Sequence, residues 1–454
     1  MKRKIITILS ALFLVVLSIF LVNNKTDVNN KTTKKEKSLK ATVLEASGDY
    51  VTVLDKNNII YTFLSDDTSF EQGQNVNIKY TGALDKNKEK QTISIKSVSS
   101  FNDTSDIPLS FNDDGMFKQF YQMAYNKLKT MTLDEKIGQI FLVRVPSENQ
   151  ISDLQKYHFG GYLLFERDFK DKTKDEVINM INEYQENANI PLLIATDEEG
   201  GDVSRLSSNK NIVDEPFKSP SQLYQEGGLN AIRKDTIYKS SVLEELGINV
   251  NLAPVVDVST DPDSYMYERT IKEDTSVTSK YAKTVIEASK DSNVSYTLKH
   301  FPGYGNNADT HTSSTTDNRT YSAIMEDDIP PFRAGIKAGA EAVLVSHNTV
   351  PAFDKDNPAS LSITTHNILR NELSFTGIII TDDLDMGAIT DNDAVIKAIK
   401  AGNDLLIVTD YESAINKVQD ALENGNISVS LIDNMAFRVL SWKYYKGLMY
   451  DILK

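Results

Sequence analysis

The sequence predicts a (β/α)8 barrel of the TIM type over residues 115–454, on two observations. Eight apolar runs with β-strand character alternate with segments of helical period, as this architecture requires. No G-x-G-x-x-G loop follows the first runs, which disfavours the structural alternative, a doubly wound open sheet. The eight runs span residues 140–145, 161–165, 192–196, 250–258, 294–298, 342–346, 378–381 and 405–409. The helical period is clearest at residues 174–187, 229–246 and 276–289.

Residues 41–100 predict a small all-β domain, either a barrel or a sandwich. Five short runs rich in β-branched and aromatic residues are separated by turn residues, as in small antiparallel folds. These runs read ATVLEA, YVTVLD, IIYTFL, VNIKYT and TISIKSV. Polar linkers are predicted on both sides of this domain, at residues 23–40 and 101–114.

The first 22 residues have the pattern of a targeting segment. Three basic residues precede a mostly apolar run at residues 5–22, which is close to the shortest length that spans a bilayer. The run ends Leu-Val-Asn-Asn-Lys and lacks the small residues of a cleavage site, which favours an uncleaved signal anchor over a cleaved signal peptide. We therefore expect an extracytoplasmic protein that is either anchored in a membrane through this segment or secreted.

Composition excludes several classes of function. The net charge is −15, and because residues 1–40 carry +7, the remainder carries −22. An acidic body of this kind argues against nucleic acid as a partner. The chain has no cysteine, so disulfides, thiolate catalysis and Cys-based metal sites are excluded. With five histidines and none in the first apolar run, we expect no metal and no other cofactor.

Polar side chains follow six of the eight apolar runs, at the point where each run ends. In a barrel of parallel strands these ends meet on one rim, where catalytic groups are found. This convergence predicts an active site at the rim. The segments are Glu166-Arg167-Asp168, Asp197-Glu198-Glu199, Asp257, Lys299-His300, His347-Asn348 and Asp382-Asp383.

The loop after the fifth run holds the strongest catalytic signal. It reads KHFPGYG and is followed by Asp309-Thr310-His311, so a carboxylate stands two residues from an imidazole. A histidine supported by a carboxylate can serve as a general acid and base. Its partner is predicted to be Asp382, which directly follows the seventh run and can point into the barrel mouth.

Other polar residues remain alternatives or supports. Glu198 and Glu199 are competing acid or base candidates, and Asp383 and Asp385 compete with Asp382. His347 either contacts substrate or supports a residue that does, and Arg205 and Arg269 either bind ligand or pair with carboxylates. His158 and His366 follow no strand end and are predicted to be structural.

These segments resemble glycoside hydrolase family 3, in its single-barrel β-N-acetylglucosaminidase branch. The branch is marked by K-H-F-P-G-x-G followed by D-x-H, which here reads KHFPGYGNNADTH. The resemblance extends from about Lys127 to beyond Asp410. Further segments that carry it are MTLDEKIGQIF, GGYLLFERDF, TDEEGGDVSRL, NVNLAPVVDV, NPASLS and GIIITDDLDMGAI. The sequence departs from the branch at Tyr304, where His is usual, and in the ERTIKED segment around Arg269.

The resemblance implies a retaining exo-β-N-acetylglucosaminidase that removes terminal β-linked N-acetylglucosamine (GlcNAc) from cell-wall glycan or muropeptides. It implies Asp382 as nucleophile and His311 with Asp309 as the acid/base pair. It implies sugar-binding roles for Asp197, Arg269, Lys299 and His300. Three alternatives stay open: a phosphorylase, a β-glucosidase on the same barrel, and a non-catalytic wall-binding protein.

Overall fold

A computed structural model of the chain contains two main sheets, one of six strands and one of eight. The structure describes residues 35–47, 50–55, 59–65, 70, 74–85, 90–100, 107, 111, 113–305, 307, 309–310 and 314–449. The predicted targeting segment lies outside these ranges, as do most of both predicted linkers and residue His311.

The first sheet has the strand order β5-β3-β2-β1-β4-β6 and is antiparallel except for the β3–β5 pair. In β4 the apolar residues Val76, Ile78 and Tyr80 alternate with polar ones and face a core that the neighbouring strands share. All five runs predicted as strands lie in this sheet. That this sheet is a separate domain stays a prediction. Its strands are β1 Lys37–Ser47, β2 Tyr50–Asp55, β3 Ile60–Leu64, β4 Asn75–Gly82, β5 Lys90–Gln91 and β6 Ile93–Ser100.

The second sheet is a nearly closed barrel of eight parallel strands, which confirms the prediction of an α/β fold with a TIM-type barrel. Its order is β15-β12-β11-β10-β9-β8-β7-β16, and a bridge between Ile380 and Leu405 connects the last strand to the first of this order. Its strands are β7 Phe141–Arg144, β8 Gly161–Leu164, β9 Leu193–Thr196, β10 Val250–Asn251, β11 Ser295–Phe301, β12 Ala342–Val345, β15 Ile378–Thr381 and β16 Leu406–Val408. A short hairpin, β13 Thr349–Val350 and β14 Asp354–Pro358, follows β12.

Helices follow or connect most barrel strands, and several begin with a side-chain cap. Thr132, Thr173 and Ser219 each form a capping box, which satisfies backbone N–H groups of the first turn. The helices are α1 Tyr121–Leu128, α2 Leu133–Gln139, α3 Gln150–Tyr157, α4 Glu166–Phe169, α5 Lys174–Asn187, α6 Pro220–Glu245, α7 Thr275–Ser289, α8 Tyr321–Asp327, α9 Ile329–Ala338, α10 Ile363–Asn367, α11 Ala394–Ala401, α12 Tyr411–Glu423 and α13 Val429–Tyr445. Short 3-10 turns at Lys118–Phe120, Tyr267–Arg269 and Ala359–Leu361 and a π turn at Ile368–Glu372 complete the described helical segments.

Two predicted elements differ from the observed ones for identifiable reasons. The fourth apolar run forms a strand only at Val250–Asn251, because Pro254 has no N–H to donate to a ladder. The rest of the run nevertheless lies alongside β11 and is hydrogen-bonded to it. The Thr297 N–H donates to the Ala253 carbonyl and the Val256 N–H donates to the Lys299 carbonyl, both at 2.8 Å. The second element is α6, which begins at Pro220, ahead of the predicted start at residue 229. Gly227 and Gly228 have non-helical dihedral angles and divide α6 into two helices, of which the second begins near residue 229.

Within the described ranges, no helix is both long enough and apolar enough to cross a bilayer. The apolar run at residues 5–22 is not among these residues, so the predicted membrane anchor is untested.

Candidate active site

A cavity of about 580 Å³ opens at the carboxyl ends of the barrel strands. Six of the seven residues assigned from the sequence line this one cavity, and the seventh, His311, lies outside the described residues. The six are Asp197, Arg269, Lys299, His300, Asp309 and Asp382. The strand order therefore brings together groups that are up to 185 positions apart in the sequence.

A buried network of charges forms one side of the cavity. The Lys299 ammonium lies 2.8 Å from Asp197 Oδ1 and 2.7 Å from Glu199 Oε1. Arg269 holds both oxygens of Glu199, with Nη2 at 2.7 Å and Nε at 3.0 Å. Burial alone would raise the pKa of Glu199, but the charges of Arg269 and Lys299 outweigh burial and hold that pKa well below its usual value. Glu199 is thus an ionised structural anchor, which makes it a poor donor of a proton.

The charge of Lys299 is likewise fixed by its surroundings. Burial would lower the pKa of this ammonium, and the neighbouring Asp197 and Glu199 carboxylates raise it above its usual value instead. Asp197 is less enclosed than Glu199, and its second oxygen lies 3.6 Å from Arg205 Nη2. Asp197 can therefore accept from a ligand hydroxyl while keeping its ion pair with Lys299.

Asp257 holds His300 in a defined orientation. Its Oδ2 accepts from the His300 backbone N–H at 3.2 Å and lies 2.8 Å from His300 Nδ1. On the other side of the ring, Nε2 lies 3.3 Å from Arg269 Nη2. Because a guanidinium only donates, we assign Nε2 as the acceptor and Nδ1 as the protonated nitrogen. His300 thus connects the Asp257 carboxylate to the charge network.

A second group of carboxylates lies on the opposite side of the cavity, after β15. Asp382 is half-buried, its backbone N–H donates to Val345 O at 3.0 Å, and its Oδ1 accepts from Asp383 N at 2.9 Å. Asp383 accepts from the Thr409 hydroxyl at 2.8 Å, and Asp385 accepts from the Thr409 backbone N–H at 2.6 Å. Asp383 and Asp385 thus connect the loops after β15 and β16. All three carboxylates line the cavity, and Asp382 is the one that directly follows the strand.

His347 supports this turn. Its Nε2 lies 2.9 Å from the Asp383 carbonyl, and its Nδ1 lies 2.7 Å from the Ser360 hydroxyl. A carbonyl can only accept, so Nε2 is the donor and Nδ1 accepts from the hydroxyl. The side chain is buried and does not line the cavity, so His347 acts on the site through the backbone beside Asp382.

Glu198 is fully occupied by the loop that follows it. Its carboxylate accepts from the Ser204 hydroxyl at 2.5 Å, the Ser207 hydroxyl at 2.8 Å, and the backbone N–H groups of Arg205 and Leu206 at 2.8 and 2.9 Å. The residue is buried. This carboxylate shapes the loop that carries Arg205, and its position does not favour a role as acid or base.

Asp309 approaches the cavity from the loop after β11. Tyr265 and Arg269 line the same cavity, and both Asp309 and Arg269 affect the Tyr265 phenol electrostatically. Burial and then the nearby carboxylate raise the pKa of the Tyr265 phenol, while Arg269 opposes the shift. Tyr265 therefore links the loop that carries Asp309 to the charge network.

The sequence placed Asp257 at the predicted rim because it ends the fourth run, but gave it no role. Tyr265 was missed altogether, since it lies in a segment without periodicity. His366, expected to be structural, is buried with Nδ1 2.8 Å from the Ser362 carbonyl, and burial lowers the pKa of its ring.

Within the described residues, no group of three or more His, Cys, Asp or Glu side chains is placed to hold a metal ion.

Comparison with known proteins identifies the family. The model of the glycosyl hydrolase family 3 N terminal domain matches residues 132–442. Beta-hexosaminidase LpqI of Mycobacterium tuberculosis is 29% identical over 328 residues, which is 68% of this chain and 82% of that protein.

Solved structures share the fold. A glycoside hydrolase family 3 beta-N-acetylglucosaminidase from Paenibacillus sp. str. FPU-7 is 29% identical with a TM-score of 0.66, over 70% of this chain and 63% of that one. The structure titled beta-glucoside phosphorylase BglX has a TM-score of 0.65 at 22% identity, over 73% of this chain and 61% of that one, and its likeness shows the fold alone. The family match over most of the barrel confirms the resemblance drawn from the sequence: the chain belongs to glycosyl hydrolase family 3.

Proposed function

We propose that this family 3 glycoside hydrolase is a retaining β-N-acetylhexosaminidase that removes a terminal β-linked GlcNAc through a covalent glycosyl-enzyme. One observation carries the proposal. A single cavity brings the Asp382 carboxylate together with Asp309 and with the buried charge network of Lys299, Asp197, Glu199 and Arg269. The relatives named beta-hexosaminidase support the choice of a GlcNAc-containing substrate.

The proposed mechanism has two displacements. In the first, an Asp382 oxygen attacks the anomeric carbon while the bond to the leaving oxygen breaks, and His311 gives that oxygen a proton. In the second, His311 removes a proton from water, the water oxygen attacks the anomeric carbon, and the Asp382 carboxylate is released. Two inversions give net retention of configuration. Asp309 would orient His311 and favour its charged form.

The charge network supports recognition of sugar hydroxyls. Its members are already paired and buried in the described structure, so a sugar would meet donors and acceptors that need little reorganisation. Charged partners also make stronger hydrogen bonds to neutral hydroxyls than neutral partners do. We propose that Asp197, Lys299 and Arg269 contact these hydroxyls, with His300 in the same wall.

We further propose that the natural substrate is GlcNAc on cell-wall fragments, and that residues 5–22 place the protein outside the cell as a membrane anchor. The apolar run and its lack of a small-residue cleavage site motivate this proposal. The full-length protein expressed in a bacterium should sediment with membranes and keep an intact N-terminus by mass. Recovery of a secreted form that begins within residues 23–40 would contradict the anchor.

The alternative activities give different products from the same assay. A phosphorylase would yield a sugar 1-phosphate when phosphate is present, a β-glucosidase would prefer aryl glucosides over aryl N-acetylglucosaminides, and a wall-binding protein would turn over neither. We expect free GlcNAc as the product, at a rate independent of phosphate.

Asp382→Asn should abolish turnover, because an amide is a very poor nucleophile toward the anomeric carbon. In the wild type, a fluorinated GlcNAc analogue with a good leaving group should label one peptide, which includes Asp382. The matched control is Asp383→Asn, which changes the adjacent carboxylate and should still be labelled. Mapping of the label to Glu198, Glu199 or Asp383 would overturn the assignment.

His311→Ala should lower kcat/KM, which reports cleavage of the glycosidic bond, far more for poor leaving groups than for activated aryl glycosides, which need little protonation. General acids and bases contribute about 10²–10⁴-fold, so the two substrate classes should separate in kcat/KM by that order. Asp309→Ala should show the same pattern more weakly, because it removes the support and keeps the proton donor. An equal fall in kcat/KM for both classes in His311→Ala would place the acid elsewhere.

A further inference from the structure

Tyr304 is a buried residue of the barrel mouth that does not line the cavity. Its hydroxyl makes two hydrogen bonds to a single residue, Thr310, with the Thr310 backbone N–H at 2.9 Å and the Thr310 hydroxyl at 2.7 Å. Tyr304 is 2% exposed and Thr310 is fully buried, so no water competes for these groups. Two bonds to one residue fix both its backbone and its side chain.

Thr310 is held from a third direction by the loop that follows Asp382. The Thr310 carbonyl accepts from Ala388 N–H at 3.0 Å. Ala388 lies six residues after Asp382 on the same loop. Thr310 thus joins the segment that carries Asp309 to the loop that carries the proposed nucleophile, and in the sequence it stands directly between Asp309 and His311.

Tyr304 itself is hydrogen-bonded to Asp257, the residue that orients His300. Its backbone N–H donates at 2.7 Å to Asp257 Oδ1, while the other oxygen of this carboxylate orients His300. The Tyr304 ring packs against the rings of His300 and Tyr265, with centroids 5.6 and 5.8 Å away. A continuous path of short contacts therefore leads from Asp257 through Tyr304 to Thr310.

The turn that presents Tyr304 requires glycine on both sides. Gly303 and Gly305 on either side have φ angles of +118° and +58°, which side chains rarely adopt. A Cβ at Gly303 would lie 2.4 Å from Asp328 Oδ1, and one at Gly305 would lie 2.7 Å from Arg319 Nη2. Arg319 is in turn paired with Asp328 at 2.6 Å and with Asp317 at 2.7 Å. This ion cluster packs directly beneath the turn.

We propose that Tyr304 is a positioning residue for proton transfer, whose hydroxyl holds Thr310 and thereby sets the Asp309 carboxylate relative to the site of glycosidic cleavage. The inference rests on the proposed function, because it assigns Tyr304 to the protonation step of that reaction. Tyr304 does not line the cavity, so the proposal gives it no contact with substrate. In the step that cleaves the glycosidic bond, its hydroxyl should matter only when the leaving group needs a proton.

Tyr304→Phe removes the hydroxyl and keeps the buried ring. On a series of aryl β-N-acetylglucosaminides, kcat/KM, which reports the bond-cleaving step, should fall roughly 10–100-fold for the poorest leaving groups, within the range that acid/base catalysis contributes. For a dinitrophenyl glycoside kcat/KM should change by less than about threefold. The value of kcat/KM should therefore depend more steeply on the pKa of the leaving group than in the wild type.

Tyr162→Phe is the matched control. Tyr162 is also buried, and its hydroxyl donates to the Gln150 carbonyl at 2.6 Å, away from the cavity lining. The Tyr162→Phe variant should show the same dependence of kcat/KM on the pKa of the leaving group as the wild type. Thr310→Ser keeps the hydroxyl and should stay close to the wild type, whereas Thr310→Val should mimic Tyr304→Phe. In the double variant Tyr304→Phe/Thr310→Val, the loss of kcat/KM on poor leaving groups should be clearly smaller than the product of the two single losses.

Hydrogen–deuterium exchange tests the two hydrogen bonds between Tyr304 and Thr310, here called the clamp, without any turnover. The Thr310 amide should exchange roughly tenfold faster in Tyr304→Phe than in the wild type, and should not change in Tyr162→Phe. A wild type that is inactive on every aryl glycoside would overturn the proposed function and with it the protonation role, while exchange would still report on the clamp. An equal fall in kcat/KM for all leaving groups in Tyr304→Phe, additive effects in the double variant, or unchanged exchange would each overturn the inference.

Discussion

The burial of the Lys299 ammonium at the barrel mouth is the constraint on which the site depends. An unpaired charge in such a position is very costly, so the residue requires carboxylates on both sides. Asp197 and Glu199 provide them at 2.8 and 2.7 Å, and Glu199 then requires Arg269 to balance its own burial. Arg269 also contacts His300 Nε2, and Asp257 orients the same ring through Nδ1. Each contact follows from the one before it, so the wall that we propose to bind the sugar is formed in the absence of a ligand.

The opposite side of the cavity is acidic and organised differently. There the carboxylates of Asp383 and Asp385 join the loops after β15 and β16, and His347 supports the turn through the Asp383 carbonyl. Asp382 lies at the end of β15 and lines the cavity beside these two carboxylates. In the proposed mechanism the charged wall binds and orients the sugar, and Asp382 performs the chemistry with the Asp309–His311 pair.

The sequence predicted the features that depend on local patterns. Apolar runs that alternate with helical segments predict the barrel and nearly all of its strands. The ends of these runs place Asp197, Lys299, His300 and Asp382 together, because parallel strands share one rim. The pairing of Glu199 with Arg269 over 70 positions could not be read from the sequence, because long-range ion pairs leave no periodic trace. The same holds for Tyr304 and Thr310, whose contact depends on how one loop turns. The fourth run was predicted too long because apolarity alone does not show where a proline interrupts hydrogen bonding.

The central claim is that the Lys299 network forms the sugar-binding wall, and calorimetric titration with GlcNAc tests it most directly. Lys299→Met is compared with the wild type below the unfolding temperature of both, and Arg233→Met serves as a control that removes the partly exposed ion pair with Glu287. The account predicts at least about tenfold weaker binding for Lys299→Met, equivalent to about 1.4 kcal/mol, and no change for Arg233→Met. A folded Lys299→Met protein that binds GlcNAc as tightly as the wild type would contradict it.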